Sequence, residues 1–439
     1  LFNYAKLSLE LKFDPYNNVT KAFKKYIDEY PNSDKIDDAY NYLTQVYLTT
    51  KNYDEALSSI EQIKDLDVRL KEAYQKIAFN KGLEQFQNRK YEESTQYLQR
   101  SRKYPINKAF NTLTYYWIAE ANYRLENYLD AIEGFKSYIY EPLAILQPEF
   151  EMAHYSLGYA YMKIEDYSNA STWLRKYSDN VNVIDTIRKS DANIRVADCF
   201  FIQKEYYQAV DFYGEASLLN SIDADYALFQ KAVAHGILKD SERKESTLLG
   251  LIEKYPSSNY IDGAKYQLGR GYMLASNNQK ALIFLGSVVD EHPNSVYVKR
   301  ALVSLGLIHY NSNNNAEALK VFKRIVNDYP NYEDSKEALV GIENIYIEKG
   351  QIDEYALYID GIDFVNLTQA SLDSTTFQAA ELKYMDGDCE SAIEFLSKYL
   401  NKFTPANFEI KANYYRADCY YKKGDYDLAL ADYLTVSSR

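Results

Sequence analysis

Small and large apolar positions alternate along this chain with a helical rhythm that restarts about every 37 residues. The clearest signature is an aromatic residue, two variable positions and Ala, with an apolar residue one turn later. It occurs as Tyr53-Asp-Glu-Ala56 with Ile60, Tyr128-Leu-Asp-Ala131 with Phe135, Tyr167-Ser-Asn-Ala170 with Leu174, Tyr206-Tyr-Gln-Ala209 with Tyr213, and Tyr426-Asp-Leu-Ala429 with Tyr433. Aligned on the Ala column, twelve units appear, at Val19, Ala56, Ser94, Ala131, Ala170, Ala209, Lys244, Ala281, Ala318, Tyr355, Ala392 and Ala429. The column holds Ala in eight of the twelve, and the position four residues on is apolar in all twelve. A small residue followed one turn later by a large one is what two closely crossing helices require. Upstream in each unit runs a second amphipathic stretch, such as Tyr155-Ser-Leu157-Gly158-Tyr-Ala160-Tyr161, with Gly or Ala where a neighbour must approach. Each unit therefore reads as a helix hairpin. Proline placement agrees: seven of the nine (31, 105, 142, 256, 293, 330 and 405) fall at the end of a second helix, where no interior hydrogen bond is lost.

A helix hairpin cannot bury its own apolar face, so the units must stack, and the fold predicted is an all-α solenoid of about twelve hairpins. The pattern Leu-Gly-x-x-Tyr, then Gly or Asn-x-Tyr-x-x-Ala, then Tyr-Pro-Asn-Ser, resembles the tetratricopeptide repeat along the whole chain. That resemblance implies a right-handed α-α superhelix whose first helices line a concave groove. Two units depart from the pattern: one has His235 and Lys244 where Tyr and Ala are expected, and another has Tyr355 in the small column. The long period and the linkers Tyr30-Pro-Asn-Ser33, Tyr255-Pro-Ser-Ser258 and His292-Pro-Asn-Ser295 are similar to tetratricopeptide proteins of the bacterial cell envelope. Those include the lipoprotein of the outer-membrane β-barrel assembly machine and the periplasmic partner of the Tol system. Three connections look long: 140–150, 178–191 and 361–375. The last, carrying Asp-Phe-Val-Asn-Leu-Thr, suggests a bend, which gives a solenoid of about ten repeats over 1–360, a break at 361–375, and two further units over 376–439.

Composition excludes several alternatives. With 63 acidic and 50 basic residues the formal charge is -13, which repels nucleic acid and anionic lipid, so neither is an expected partner. No apolar run approaches the roughly 20 residues needed to cross a bilayer. Both ends are expected to continue into further structure, and any signal peptide or lipid anchor would lie outside the sequence. The three cysteines, Cys199, Cys389 and Cys419, read as too few and too scattered for a disulfide framework or a zinc site, and Cys199 and Cys419 share a small-residue column that suggests buried thiols. The four His are far apart, and neither a phosphate loop nor a metal-ligand spacing is present. The sequence therefore predicts no catalytic residue, metal or cofactor, and no enzymatic activity.

What is left is the groove. In the family resembled, residues three before and four after the Gly/Ala position of the first helix face it. The earlier column is aromatic in eight of the twelve units and the later one nearly all apolar or aromatic. The richest stretch carries Tyr116, Tyr123, Tyr155, Tyr159, Met162 and Phe201, which become the candidate partner-binding residues, because Tyr and Phe offer large amphipathic contact at low entropy cost. On this reading, changing Tyr116, Tyr155 and Tyr159 to Ala abolishes binding and spares helicity. The expected function is a non-catalytic scaffold that holds a protein or peptide segment, in a bacterial periplasmic or outer-membrane assembly or secretion complex. A cytoplasmic co-chaperone or adaptor, and the scaffold region of a larger enzyme, are the alternatives. Of the 46 Tyr, the repeat signature accounts for most, and nine stand in the two groove columns.

Overall fold

The computed structural model describes residues 1–10, 18–219, 221–366 and 368–438. Among them are twenty-four α-helices, and they pair in chain order into twelve hairpins. The first six are α1 (Phe2–Glu10) with α2 (Asn18–Glu29), α3 (Ile36–Thr49) with α4 (Tyr53–Glu61), α5 (Val68–Gln87) with α6 (Tyr91–Ser101), α7 (Lys108–Arg124) with α8 (Tyr128–Ile139), α9 (Phe150–Lys163) with α10 (Tyr167–Ser178), and α11 (Thr186–Ile202) with α12 (Tyr206–Leu218). The other six are α13 (Ala224–Ile237) with α14 (Ser241–Lys254), α15 (Ile261–Leu274) with α16 (Asn278–Glu291), α17 (Val298–Asn311) with α18 (Asn315–Asp328), α19 (Glu333–Lys349) with α20 (Ile352–Asp360), α21 (Gln369–Met385) with α22 (Cys389–Lys402), and α23 (Glu409–Lys423) with α24 (Tyr426–Ser437). The fold is an all-α solenoid. Contacts gather the chain into two compact units, Leu1–Lys244 and Glu245–Arg439.

The two sequence columns are the core of each hairpin. Ten of the twelve small-column positions are at most 2% exposed, Tyr355 is 6% exposed, and only Lys244 is not buried. The large column four residues on is at most 1% exposed in eleven units, leaving Tyr433 of the last helix half-buried. The close approach is real: a Cβ built on Gly158 of α9 would lie 2.5 Å from Leu174 Cγ of α10. Substituting a side chain there overpacks the hairpin.

The turn inside each hairpin is equally regular. From the second hairpin to the twelfth, one residue two places before the second helix is left-handed: Lys51, Arg89, Glu126, Glu165, Lys204, Lys239, Ser276, Asn313, Gly350, Gly387 and Gly424, with φ between 57° and 89°. Only the last three are glycine, so eight hairpins hold an L-side chain where the backbone disfavours it by roughly 1–2 kcal/mol.

Successive first helices also touch, α5 with α7, α7 with α9 and α11 with α13 in the first unit, and α15 with α17, α17 with α19, α19 with α21 and α21 with α23 in the second. Hydroxyl-to-carboxylate bonds stitch this wall from one repeat to the next. Thr375 donates to Glu343 (2.9 Å), Tyr384 to Asp418 (3.0 Å), Tyr415 to Glu381 (3.1 Å), and Tyr310 to Glu348.

Two expectations need correction. The three connections read as long are the longest between the described hairpins, but their bounds are tighter than expected: α11 begins at Thr186 and α21 at Gln369, inside the stretches 178–191 and 361–375, and a short 3-10 turn, Ala144–Leu146, occupies part of 140–150. The cysteines are not all free thiols. Cys389 and Cys419 form a disulfide, with Cα atoms 5.1 Å apart, that ties the start of α22 to α23. Cys389 stands three residues before Ala392, where other hairpins place the wedge tyrosine, and Cys419 stands in the small column that this wedge meets. Hairpin five shows the same juxtaposition with Tyr167 packed against the cluster that contains Cys199. Cys199 itself is free and buried, and burial pushes its thiol up to about 12.

Candidate partner-binding groove

Four of the six candidate residues come together. A cavity of about 560 Å³ opens on the first-helix wall of the first unit, between α5, α7, α9 and α11. Tyr116, Tyr123, Tyr155 and Tyr159 line it, joined by Phe86, Trp117, Met152 and Arg188. Met162 and Phe201 do not reach it. They continue the later groove column, with Phe86 and Tyr123, as half-buried side chains along the same wall. Leu11 of that column lies outside the described residues.

The two columns do different work. In the earlier column Phe79, Tyr116, Ile194, Phe229, Tyr266, Val303 and Phe377 are each at most 8% exposed, so most of it packs between repeats. In the later column the described large side chains from Phe86 onward remain half-buried or exposed. A recurring contact sets the orientation of four of them, each meeting the first residue of the following helix edge-on: Phe86 with Tyr91 (5.3 Å), Tyr123 with Tyr128 (5.6 Å), Phe201 with Tyr206 (5.3 Å) and Tyr421 with Tyr426 (5.4 Å). Such T-shaped pairs fix a ring while leaving one face open.

Two of the lining tyrosines lead into a polar network behind the cavity. Tyr155 donates to Asp191 Oδ2 at 2.6 Å, and Tyr159 donates to the same oxygen. Arg195 Nε reaches Asp191 Oδ1 at 3.3 Å, and its Nη1 reaches Asp198 Oδ2 at 2.7 Å. Asp198 Oδ1 in turn accepts from Tyr213 (2.6 Å) and Tyr226 (3.0 Å). On the other side Ser156 donates to Glu120, which is 7% exposed. The Asp191–Asp198 network spans hairpins five to seven and the separate Ser156–Glu120 bond joins hairpins four and five, so Tyr155 and Tyr159 are struts as well as lining. Changing Tyr116, Tyr155 and Tyr159 together to Ala would therefore empty a packed site and leave Asp191 short of donors, which costs stability and not binding alone. The sequence pointed to these rings but not to Asp191, Asp198, Glu120 or Arg195.

These tyrosines make stability sensitive to alkali. Burial first, and then the carboxylate each one faces, pushes Tyr159, Tyr310 and Tyr384 up to about 12 from an ordinary value of 10.0. Unfolding returns them to the ordinary value, so the folded chain holds these protons more tightly. The stability this contributes is complete below pH of about 10 and is lost as the pH rises from about 10 to about 12. The urea midpoint is expected to be nearly flat from neutral pH to about 9 and to fall clearly by about 11; a midpoint unchanged at that pH would contradict the assignment.

His154 serves packing. His154 lies 4.8 Å from the ring of Phe150 and 5.7 Å from Trp173, and burial holds it below its ordinary value. Among the described residues no group of three His, Cys, Asp or Glu is placed to hold a metal ion, and no helix is long and apolar enough to cross a membrane.

Two segments match family models described as tetratricopeptide repeat, residues 153–178 and residues 300–332. The first covers most of α9 and α10, beside the cavity. No curated protein matches the chain. Among solved structures it is similar to the C-terminal part of a TPR repeat-containing protein from Cytophaga hutchinsonii, at 16% identity, covering 60% of this chain and 99% of that one with a TM-score of 0.47. It is also similar to a tetratricopeptide repeat protein from Parabacteroides merdae, at 16% identity over 57% of this chain and 92% of that one, TM-score 0.38. YrrB, a TPR protein with an unusual peptide-binding site, matches at 18% identity over 43% of this chain and 91% of that one, TM-score 0.35. The repeat columns are buried as the hairpin core, and two of the twelve hairpins, α9 with α10 and α17 with α18, match the tetratricopeptide repeat.

Proposed function

We propose that the chain is a non-catalytic scaffold that captures an extended or helical segment of a partner protein in the groove of its first unit. The single observation that carries this is the open aromatic cavity between α5, α7, α9 and α11, continued by the half-buried rings of the later column. Rings held by edge contacts and hydroxyl struts are already ordered, so a partner binding there loses little additional entropy to the groove. The partner complex belongs in this reading to a bacterial envelope. The Cys389–Cys419 disulfide supports an oxidising compartment, in which such bonds persist, and speaks against the cytoplasmic alternative.

The test uses a photo-reactive amino acid at the Tyr123, Met162 and Phe201 positions, with the 71%-exposed Leu129 on the second-helix side as control. In the native cell the same partner is expected to cross-link from all three groove positions and not from the control. Changing Tyr123, Met162 and Phe201 together to Ala should reduce its capture on the order of tenfold or more, with the circular-dichroism helicity retained. Cross-linking from the control alone, or capture unaffected by the triple change, would overturn the groove assignment.

A further inference from the structure

Next to the main cavity, and sharing Phe86, Trp117 and Arg124 with it, lies a second hollow of about 330 Å³ closed by Leu83, Arg89 and Tyr91. Its wall is aromatic: Phe86 stands edge-on to both Tyr91 (5.3 Å) and Trp117 (5.1 Å). Its rim is cationic, which is unusual in a chain of net charge -13. Arg89 makes no ion pair among the described residues, and the acid paired with Arg124 is Glu120 at 4.0 Å, whose carboxylate already accepts from Ser156. No carboxylate lines this hollow. Two guanidinium groups beside a set of open ring faces therefore have unspent capacity for charge and for apolar contact. At about 330 Å³ the hollow is at the lower end of the range of small-ligand pockets, roughly 300–1,000 Å³, and so has room for a large side chain.

We propose that this hollow is a specificity subsite for a partner polypeptide segment in which an aromatic or large aliphatic side chain is flanked by acidic residues. The side chain enters against Phe86, Tyr91 and Trp117, and the flanking carboxylates pair with Arg89 and Arg124. The proposal rests on the groove reading above and adds the partner's chemistry to it. Charge complementarity selects the occupant: basic segments meet Arg89 and Arg124 unfavourably, whereas an acidic segment finds two guanidinium groups and no lining carboxylate.

Trp117 is a built-in reporter. The chain has two tryptophans, and Trp173 is 6% exposed beneath His154, so a ligand in the hollow changes the emission of Trp117. The whole chain is titrated with four probes: acetyl-Gly-Asp-Glu-Phe-Asp-Glu-Gly-amide, the same peptide with Lys in place of each acid, the acidic peptide with Ala in place of Phe, and an oligothymidylate. The acidic Phe peptide is expected to shift the emission saturably and to bind at least about tenfold more tightly than the other three. Raising the salt should weaken it. Arg89→Ala with Arg124→Ala, both at exposed positions, should weaken it on the order of tenfold with helicity unchanged. Calorimetry on Trp117→Phe checks the optical readout. Equal or tighter binding of the Lys peptide, of the Ala peptide or of the oligothymidylate overturns the proposal, and so does no binding of the acidic peptide. Each of those outcomes is distinct from failure of the groove reading, which the cross-links from Tyr123, Met162 and Phe201 decide.

Discussion

Truncating Phe322 to alanine is expected to cost about 3–5 kcal/mol and to loosen one neighbourhood of the second unit while the first unit keeps its protection. Phe322 of α18 is 0% exposed. Its ring sits in a slot with glycine on either side: a Cβ on Gly306 of α17 would lie 2.3 Å from the ring, and a Cβ on Gly341 of α19 would lie 2.6 Å from it. Neither glycine has a side chain that could swing in to fill the space left by an alanine. The cavity cannot collapse, which places the change toward the upper end of the range for large-to-small core substitutions. In a repeat array the loss is shared mainly with nearest neighbours. Hydrogen exchange should therefore accelerate in α17, α18 and α19 and remain as in the parent chain through Leu1–Lys244. A uniform acceleration along all twelve hairpins would show a single cooperative core and contradict the solenoid account.

The disulfide carries the second large effect. Cys389 and Cys419 close a loop of 30 residues that contains the whole of α22. Chain entropy puts the stabilisation from such a loop at roughly 3–4 kcal/mol. The bridge lies in the core formed by Phe377, Leu396, Tyr399 and Phe403, so its loss should be felt in the last two hairpins. Adding a thiol reductant is expected to bring forward the melting of α21 to α24, and Cys389→Ser should produce the same shift without reductant and show no further response to it. A parent chain whose melting is indifferent to reductant would remove the bridge from the stability account, and with it the support for an oxidising compartment.

These outcomes depend on features that the sequence displayed to different degrees. The hairpins were legible because the small column and the large column four residues later impose one steric rule twelve times, and a rule repeated at fixed spacing survives local exceptions such as Lys244. The rings of the groove were legible for the same reason. Their acceptors were not: Asp191, Glu348 and Asp418 stand 32 to 38 residues from the tyrosines that donate to them, in positions the repeat pattern leaves free. An acid on a helix surface looks solvated until the neighbouring helix is placed over it. The disulfide was hidden differently. Its 30-residue separation is less than one period, but Cys389 replaces the wedge tyrosine and Cys419 the small residue it meets, a pairing visible only once those two columns are known to touch. The rim of arginines beside Trp117 was missed because Arg89 and Arg124 lie outside both groove columns.

The left-handed turns give the chain a direction in time. A hairpin turn closes with least resistance where glycine occupies the left-handed position, and that is so in three consecutive hairpins, at Gly350, Gly387 and Gly424. The eight earlier turns, from Lys51 to Asn313, carry side chains, and each closes against a left-handed cost of roughly 1–2 kcal/mol. Refolding from denaturant should therefore nucleate in the last three hairpins and zip toward the N-terminus, whereas synthesis on the ribosome delivers those hairpins last. The nascent chain and the denatured chain thus meet the same native state from opposite ends.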